Sequence, residues 1–335
     1  MRLMLCFAAL LLAVAGAAPA QDASTGPSTE LRTGSAQGFP KRPIRFVVPL
    51  PPGGSPDLTA RTISSGLSGP WQQQIVVDNR PGANHNLAAE IVAKSAPDGY
   101  TWLLTTDNIL TVNPHLGKTP FEPFKDFTFV MQLARFQFLL VVHPSVPAQS
   151  VQELVVFAKS KPGALNYGSS GNGSPQHLGA AMLQSLAGIQ MHHIPYKGAA
   201  PAIIDLLPGR IQVWVGAANS TLPHIKDGKL RLLASAGSQR YPSLPDVPTV
   251  AEAGVPGFAL NVSAGLTMPA KAPPAIVAKV NADVTKLLNA ADVKARLAPQ
   301  GIEIVTNSPA EYAKTVREEN AVWGKIIKAT GIKAD

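Results

Sequence analysis

The feature that most constrains this chain is a short apolar run that meets the start of a helix through a glycine turn. Residues 44–48 are mostly β-branched or aromatic and prolines bound them, which predicts a buried strand. Prolines and glycines follow at residues 51–54, and Ser55 and Pro56 then suit the N-cap and the first position of a helix. The first N–H groups of a helix lack partners inside it, and the helix dipole is positive there. The stretch therefore predicts a place to hold an anion.

A second stretch repeats this pattern. Residues 165–167 predict a strand, residues 168–173 form a glycine-rich turn, and Ser174 and Pro175 again suit an N-cap and a first helical position. Glycine turns and serine caps are common connectors, so either loop alone carries little functional information. Two of them favour a shared purpose, because two helix N-termini that face each other across a cleft can hold a carboxylate from both sides.

The order of the predicted elements indicates the fold class. Strands alternate with helices, which predicts an α/β fold with parallel sheets. Two apolar segments, residues 129–142 and 258–268, are predicted as strands that cross between two α/β domains. A capping box at Ser308 and Glu311 starts the last predicted helix, which we expect to return to the first domain. The predicted first domain comprises residues 40–140 and 263–335, and the second comprises residues 141–262.

The first residues carry the pattern of an export signal. Arg2 supplies a positive start, an apolar middle follows from Leu3, and residues 18–20 fit a small-x-small cleavage site. We expect cleavage after Ala20, a flexible polar tether over residues 21–39 and a periplasmic location. No later segment reaches the roughly 20 apolar residues that a membrane-spanning helix needs.

Composition disfavours several classes of function. Cys6 is the only cysteine and lies inside the predicted signal, so we expect neither disulfides nor cysteine chemistry after cleavage. The formal charge is +8, but aromatic residues make up only 6% and no Lys/Arg run exceeds two, so we expect no nucleic-acid partner. His192 and His193 would point to opposite faces of a strand, which disfavours a two-histidine metal site. We expect no metal, no cofactor and a monomer.

Catalytic patterns mostly fail in the glycine loops. The nucleophile-elbow pattern fails because Asn172 stands where a second glycine is needed, and the dinucleotide pattern fails at Gln176. We therefore predict a protein without enzymatic activity. The alternative is a periplasmic hydrolase or isomerase that uses Ser170 or Ser174 with His177.

Candidate ligand-binding residues lie in the two glycine loops and at two other strand ends. The polar residues after the third predicted strand should join the first loop at the carboxyl edge of the sheet, where α/β folds bind ligands. Asp57 in the first helical turn has two open interpretations, a partner of the helix dipole or a receiver of a ligand's ammonium group. The candidates are Pro52, Gly53, Gly54, Ser55, Asp57, Thr106, Asn108, Ser169, Ser170, Gly171, Gly173, Ser174, His177, Lys197 and Gly198.

Six motifs, in order along the chain, give the sequence a family resemblance. They are Arg42-Pro43-Ile44 with Pro51-Pro52-Gly53-Gly54 and Asp57; Asn79-Arg80-Pro81-Gly82-Ala83; Pro97-Asp98-Gly99-Tyr100-Thr101; Gly171-Asn172-Gly173-Ser174 with His177-Leu178; Pro195-Tyr196-Lys197-Gly198; and Leu244-Pro245-Asp246-Val247-Pro248-Thr249. With them the chain resembles the Bug-type substrate-binding proteins of tripartite tricarboxylate transporters in Gram-negative bacteria. The resemblance implies a type II-like periplasmic-binding-protein fold whose two Rossmann-like domains close on a small organic carboxylate. It also implies that backbone amides and ordered water of residues 52–57 and 168–177 hold the ligand.

The resemblance also implies transport. A receptor of this kind delivers its ligand to the subunits of a membrane permease, whereas an orphan sensory receptor, which the sequence leaves open, would hand it to a signalling partner. Three positions depart from the family pattern: His85 stands where glycine is usual, Gly216 replaces a commonly polar or acidic residue, and Ser263 stands where tryptophan is frequent. These residues lie in or near segments that border the predicted cleft, so they bear on which acid is bound.

Overall fold

The computed structural model describes residues 38–330, and these residues form an α/β protein with two sheets. The predicted export signal and all but the last two residues of the predicted tether lie outside the described residues. In chain order, the strands are β1 (Ile44–Val48), β2 (Ile75–Asn79), β3 (Thr101–Thr106), β4 (Phe127–Phe136), β5 (Phe138–Val142), β6 (Asn166–Ser169), β7 (His192–Pro195), β8 (Val213–Ala217), β9 (Arg231–Ser235), β10 (Val262–Pro269) and β11 (Ile302–Ile304).

Helices connect most of these strands. In chain order, they are α1 (Ser55–Trp71), α2 (Asn86–Ala93), α3 (Asn113–Leu116), α4 (Pro123–Asp126), α5 (Val151–Ser160), α6 (Pro175–Ala187), α7 (Ala199–Leu206), α8 (Ala218–Lys226), α9 (Pro274–Leu288), α10 (Ala291–Leu297) and α11 (Pro309–Thr330). Short 3-10 turns occupy Ala83–His85 and Ala298–Gln300, and Asn108–Val112 forms a π-helix after β3.

The sheets confirm the predicted α/β class. Within residues 38–330, the first sheet has the strand order β11-β4-β10-β3-β1-β2 and the second has the order β7-β6-β8-β5-β9. Helix crossovers join parallel neighbours, such as β1 with β2 and β6 with β7. The expectation of parallel sheets is wrong for every pairing of β4, β5, β10 and β11, because all of these pairings are antiparallel. Strands β5 and β10 each follow a passage of the chain between the sheets, so they start at the edge where the parallel strands end.

The first passage between the sheets lies at Gln137. The sequence predicts one long strand over residues 129–142, but the structure has two strands in different sheets, and Gln137 separates them. The Gln137 amide donates to the carbonyl of Gly301 at 2.9 Å, and its carbonyl accepts from the amide of Ala218 at 2.8 Å. Its side-chain oxygen accepts from the Ser243 hydroxyl at 2.8 Å. These bonds satisfy the polar groups of a buried connection. The predicted domain division falls inside β5 and stays a prediction.

Helix α1 carries the first glycine turn, and its packing fixes where that turn lies. Ala60, Ile63 and Leu67 follow helical spacing and are buried. At the end of the helix, the ring of Trp71 packs edge-on against Trp102 of β3, with ring centroids 5.9 Å apart. The helix is therefore held along the sheet, and its N-terminus lies at the edge where β1 ends.

The C-terminal segment lies on the first sheet, where the sequence places it. Strand β11 pairs with β4, and in α11 the hydroxyl of Tyr312 lies 2.9 Å from that of Thr105 in β3. The predicted capping box is present, because the Ser308 amide donates to the Glu311 carboxylate and the Glu311 amide donates to the Ser308 hydroxyl. The end of the described chain thus packs against strands that precede it by more than a hundred residues.

Candidate functional site

The first glycine loop joins β1 to α1, and its helix start differs from the predicted one. Gly54, with φ −80° and ψ 166°, is the N-cap, and Ser55 is already the first helical residue. The predicted N-cap role of Ser55 is therefore wrong by one position. Its hydroxyl makes no capping bond, because Gly54 supplies the extended backbone that the cap needs.

Three backbone amides of the first loop are open. The Leu58 amide donates to the Gly54 carbonyl at 2.9 Å, and the Gly53 amide donates to the Asp57 carboxylate at 2.9 Å. The amides of Gly54, Ser55 and Asp57 have no acceptor among the described residues. The positive end of a helix of 17 residues therefore presents three donors that an anion could accept.

Asp57 is held inside the loop. Its carboxyl group is 2% exposed, and it accepts from the Gly53 amide, from Arg61 Nε at 2.8 Å and from Asn79 Nδ2 at 2.9 Å. Burial opposes ionisation, but the hydrogen bonds from Arg61, Gly53 and Asn79 outweigh it and lower the pKa of Asp57 below its ordinary value. Of the two interpretations left open by the sequence, these contacts favour a structural carboxylate that shapes the loop.

The second glycine loop joins β6 to α6, and several of its amides have acceptors within the loop. Ser174 is the predicted N-cap, and its hydroxyl accepts from the His177 amide at 3.4 Å. The Gly173 amide donates to His177 Nδ1 at 3.1 Å, and the Ser174 amide donates to the Gly171 carbonyl at 3.2 Å. The Gly171 amide donates to the hydroxyl of Ser169 at 3.1 Å. The cap prediction is confirmed here, and these four amides are used within the loop.

A stack of three rings supports the second loop. The rings of Tyr167 and His193 lie 4.9 Å apart, and the rings of His193 and His177 lie 4.1 Å apart with their planes 6° from parallel. His193 Nε2 is 2.7 Å from the Ser169 hydroxyl. Since this serine and His177 also bond loop amides, the stack fixes the loop. From the sequence, His193 is considered only as half of a disfavoured two-histidine metal site, and no local pattern predicts its contact with Ser169.

Both serines of the alternative enzymatic interpretation make hydrogen bonds within the second loop and its helix. The Ser170 hydroxyl donates to Gln176 Oε1 at 2.8 Å. The Ser174 hydroxyl accepts from the backbone of His177 as a cap. These bonds have structural functions in an α/β connector.

Two candidate residues after β3 link the first sheet to the second loop or to a neighbouring turn. Asn108 Nδ2 donates to the Gly173 carbonyl at 2.7 Å, and both residues are buried. Thr106 Oγ1 lies 3.0 Å from His85 Nδ1. Gly173 has φ +72°, and a Cβ there would lie 2.8 Å from the Leu116 side chain, so this contact requires glycine.

The remaining candidates lie apart from these contacts. No hydrogen bond joins the first loop to the second within residues 38–330. Pro52 is exposed, and the exposed Lys197 makes no ion pair with any described residue. Gly198 has φ +111° and is the N-cap of α7. The structure thus brings the candidates of β3 and of the second loop together and leaves the first loop as a separate cluster.

A cavity of about 480 Å³ lies beside the second loop. Its polar lining includes Asn84, Asn86, Asn113, Lys118, Ser170 and Asn172. Asn84 and Asn113 bond each other, with Asn84 Nδ2 2.8 Å from Asn113 Oδ1 and Asn113 Nδ2 2.7 Å from the Asn84 carbonyl. The polar lining consists of amides, hydroxyls and the ammonium group of Lys118, and it contains no acidic side chain.

Asp107 is a buried carboxyl group that the candidate residues do not include. It accepts from both the backbone amide and the hydroxyl of Ser263 in β10, the latter at 2.6 Å. Burial raises the pKa of Asp107 to about 7, against the hydrogen bonds from Ser263 and the charge of Arg135. The bonds extend the pairing of β3 with β10 beyond Thr106 and Ala264. The local sequence gives no sign of this contact, because Ser263 lies in the crossing strand of a distant segment.

Among residues 38–330, no three His, Cys, Asp or Glu side chains cluster so that they could hold a metal ion. In the same part of the chain, no helix combines the length and the apolar character needed to cross a membrane.

The model of the tripartite tricarboxylate transporter family receptor matches residues 59–332. The chain belongs to this family. It is 33% identical to Protein BugT of Bordetella pertussis over 304 residues, which cover 89% of this chain and 92% of that protein. These matches confirm the family that the six motifs predicted.

Solved structures agree with the family match. An R. palustris protein solved with adipate is 35% identical, with a TM-score of 0.81 over 89% of this chain and 100% of that chain. MatC from Rhodopseudomonas palustris, solved with bound malate, is 32% identical, with a TM-score of 0.77 over 86% of this chain and 100% of that chain. The predicted two-domain α/β fold of periplasmic binding proteins is therefore confirmed.

Proposed function

We propose that this protein is an exported receptor that captures a small organic carboxylate between two α/β domains and delivers it to a tripartite tricarboxylate-type membrane permease. The observation that carries the proposal is the set of open amides at Gly54, Ser55 and Asp57. Membership of the receptor family supports it, and so do the relatives solved with adipate and malate. The receptor acts in the periplasm as a monomer and needs no cofactor.

The electrostatics of the first loop suit a carboxylate. The Asp57 charge is compensated by Arg61 and Asn79, so it does not repel an anion as an unpaired carboxylate would. Each hydrogen bond from a backbone amide to a carboxylate is charge-assisted and contributes about 1.5–3 kcal/mol. Two or three such bonds contribute about 3–9 kcal/mol, and micromolar affinity needs about 8 kcal/mol after the cost of association is subtracted, so the rest of the cleft must supply further contacts.

The second loop completes the site from the other domain. The amides of Gly171, Gly173, Ser174 and His177 are used internally, so its contribution comes mainly from polar side chains and from the bond between Asn108 and Gly173. Domain closure is a hinge motion around the two crossings, at Gln137 and near residues 258–262. The ligand-binding residues proposed are Pro52, Gly53, Gly54, Ser55, Asp57, Thr106, Asn108, Ser169, Ser170, Gly171, Gly173, Ser174, His177, Lys197 and Gly198.

The proposed receptor performs no chemistry on its ligand. The hydroxyls of Ser170 and Ser174 are engaged in structural bonds, which weighs against their use as nucleophiles. A hydrolase would consume the acid or its ester, whereas a receptor returns it unaltered.

Calorimetric titration of the purified chain without residues 1–20 tests the proposal. We expect stoichiometric binding of at least one of citrate, malate, succinate, adipate and glutamate, and a melting temperature that rises with its concentration. The matched alcohols and amides should give no heat. Absence of binding by every acid at 1 mM would reject carboxylate capture, and conversion of a bound acid to a product would reject the receptor assignment. Uptake of the labelled acid by cells with and without the protein tests delivery to the permease.

A further inference from the structure

Three consecutive residues before α2 have a backbone conformation that L-residues rarely adopt. Ala83, Asn84 and His85 have φ values of +48°, +47° and +73°, all in the left-handed region. The preceding residue, Gly82, has φ +130°, which only glycine adopts readily. Such a run costs free energy and persists only where the surrounding contacts fix it. The turn is therefore a place where conformation is maintained for something other than local stability.

The contacts of the turn show what the conformation achieves. The His85 amide donates to the Gly82 carbonyl at 2.9 Å, and the side chain of Asn84 bonds Asn113. The turn brings Nδ1 of His85 to 3.0 Å from the hydroxyl of Thr106, at the last residue of β3. Ala83 is exposed and adds no side-chain bond. The strained turn thus serves to hold one imidazole against the end of β3.

The imidazole of His85 is neutral, and one of its two ring nitrogens is available for a further hydrogen bond. Burial lowers its pKa to about 4, so the ring carries no charge at neutral pH. A neutral imidazole has one donor and one acceptor nitrogen, and Nδ1 is occupied by Thr106. Nε2 has no hydrogen-bond partner among the described residues. The ring can therefore exchange one hydrogen bond with a ligand without adding charge to the site.

The sheet register places this pair beside the first loop. Strands β1 and β3 are parallel neighbours, with Leu103 opposite Val47. Continued at the same register, Thr106 lies level with Leu50, immediately before the glycine turn, and neighbouring strands are about 4.8 Å apart. The Thr106–His85 pair and the first loop therefore lie at the same edge of the first sheet, beside the ends of neighbouring strands.

We infer that His85 is a specificity-determining residue that hydrogen-bonds a hydroxyl or carbonyl oxygen carried next to the ligand's carboxylate. The inference rests on the proposed function. An acid without that oxygen leaves Nε2 without a partner in the closed cleft, and a site of this kind rejects such an analogue. The receptor accordingly favours hydroxy- and oxo-carboxylates over the plain acids of the same length.

Paired titrations test this selectivity. Malate and succinate form one pair, and lactate and propionate form another, each differing by one hydroxyl. We expect at least tenfold tighter binding of the hydroxy acid by the natural protein. Ala83→Gly relieves backbone strain in the same turn and should keep this ratio. His85→Gly relieves the same kind of strain but removes the ring, so its ratio should fall to about one. His85→Asn serves as a second variant, because asparagine tolerates the left-handed conformation and its side chain lacks the Nε2 position.

The outcomes separate the inference from the proposed function. If the natural protein binds no acid of either pair and no other carboxylate, the proposed function fails and the inference fails with it. Binding of both members of each pair with equal affinity overturns only the inference. An unchanged ratio in a folded His85→Gly or His85→Asn protein also overturns it, because the selectivity then comes from another residue.

Discussion

The two glycine loops have similar sequences, but they differ in which of their backbone amides have hydrogen-bond acceptors. In each, a side chain in the first turn of the helix accepts from the amide four residues earlier: Asp57 from Gly53 and His177 from Gly173. After that the loops diverge. The first loop leaves the amides of Gly54, Ser55 and Asp57 open, whereas in the second the amides of Gly171, Ser174 and His177 have acceptors within the loop. A Gly-Ser-Pro helix start therefore identifies a helix N-terminus, but its neighbours decide whether that terminus can bind an anion.

The largest expected effect comes from removing one open amide of the first loop. Gly54 has φ −80°, which proline can adopt, and a Cβ there meets only Pro56 at an ordinary distance of 3.7 Å. Gly54→Pro deletes the N–H and should weaken carboxylate binding by about 1.5–3 kcal/mol, or roughly ten- to 150-fold. Calorimetry measures the loss.

Gly54→Ala is the matched control, because it adds the Cβ and keeps the N–H. It should bind within about threefold of the natural protein, since an extended backbone suits alanine. If Gly54→Pro binds as tightly as Gly54→Ala, the open amide does not contact the ligand, and the contrast between the two loops loses its functional meaning.

The second-largest effect is a loss of folding stability as the pH falls. His85 should contribute to this loss at a higher pH than Asp57 does. The pKa of His85 is lowered to about 4, so the unfolded chain binds a proton below its ordinary pKa of about 6.5 while the folded chain does not. Stability from this group is complete above pH 6.5 and is lost as the pH falls toward 4, by about 2 kcal/mol after allowance for partial exposure.

Denaturant unfolding of the natural protein and of His85→Asn between pH 7 and pH 4 measures this loss. The relevant quantity is the difference in unfolding free energy between the two proteins, because Asp107 affects both of them equally. The pKa of Asp107 is raised to about 7, so its contribution to stability falls as the pH rises, opposite to that of His85. Asp57, with a lowered pKa, contributes only below this window, at pH values under its ordinary pKa. A difference that is constant from pH 7 to pH 4 would show that His85 titrates normally in the fold.

A third prediction addresses the structural reading of Asp57. Asp57→Asn weakens the bonds to Gly53, Arg61 and Asn79, and should lower the free energy of unfolding by about 1–2 kcal/mol. Arg61→Gln removes only the half-exposed partner, so it should cost less than about 1 kcal/mol. The order of preference among acids should remain the same in both variants. A changed order in Asp57→Asn would mean that this carboxylate faces the ligand.

Local signals were the part of this structure that the sequence predicted well. The caps at Ser174 and Ser308 depend on residues within one helical turn, so a short sequence pattern is enough to predict them. The first helix start was misplaced because Gly54 and Ser55 both suit an N-cap, and the choice depends on how the loop packs.

Contacts between distant segments were the part that it could not predict. Gln137 ends a strand because Gly301 and Ala218 lie beside it, and Asp107 is buried because Ser263 crosses over it. The bond of the Gly171 amide depends on such a contact as well, because its acceptor Ser169 is held by His193 of β7. Motifs located the candidate site, and tertiary packing determined which of its donors remain available.

The smallest effect gives the most direct comparison of the two loops. Ser174→Ala removes a hydroxyl that caps α6, whereas Ser55→Ala removes one that caps nothing in α1. The Ser174 cap bond is long, at 3.4 Å, so its loss should cost about 0.5–1 kcal/mol in unfolding free energy, and the Ser55 change should cost less than about 0.5 kcal/mol. Chemical denaturation of the two variants under one set of conditions resolves such a difference. Equal costs would mean that the two serines have the same capping function, as their similar sequence contexts suggest. In that case, Ser55 would be the N-cap of α1 in solution, one position after the observed N-cap Gly54.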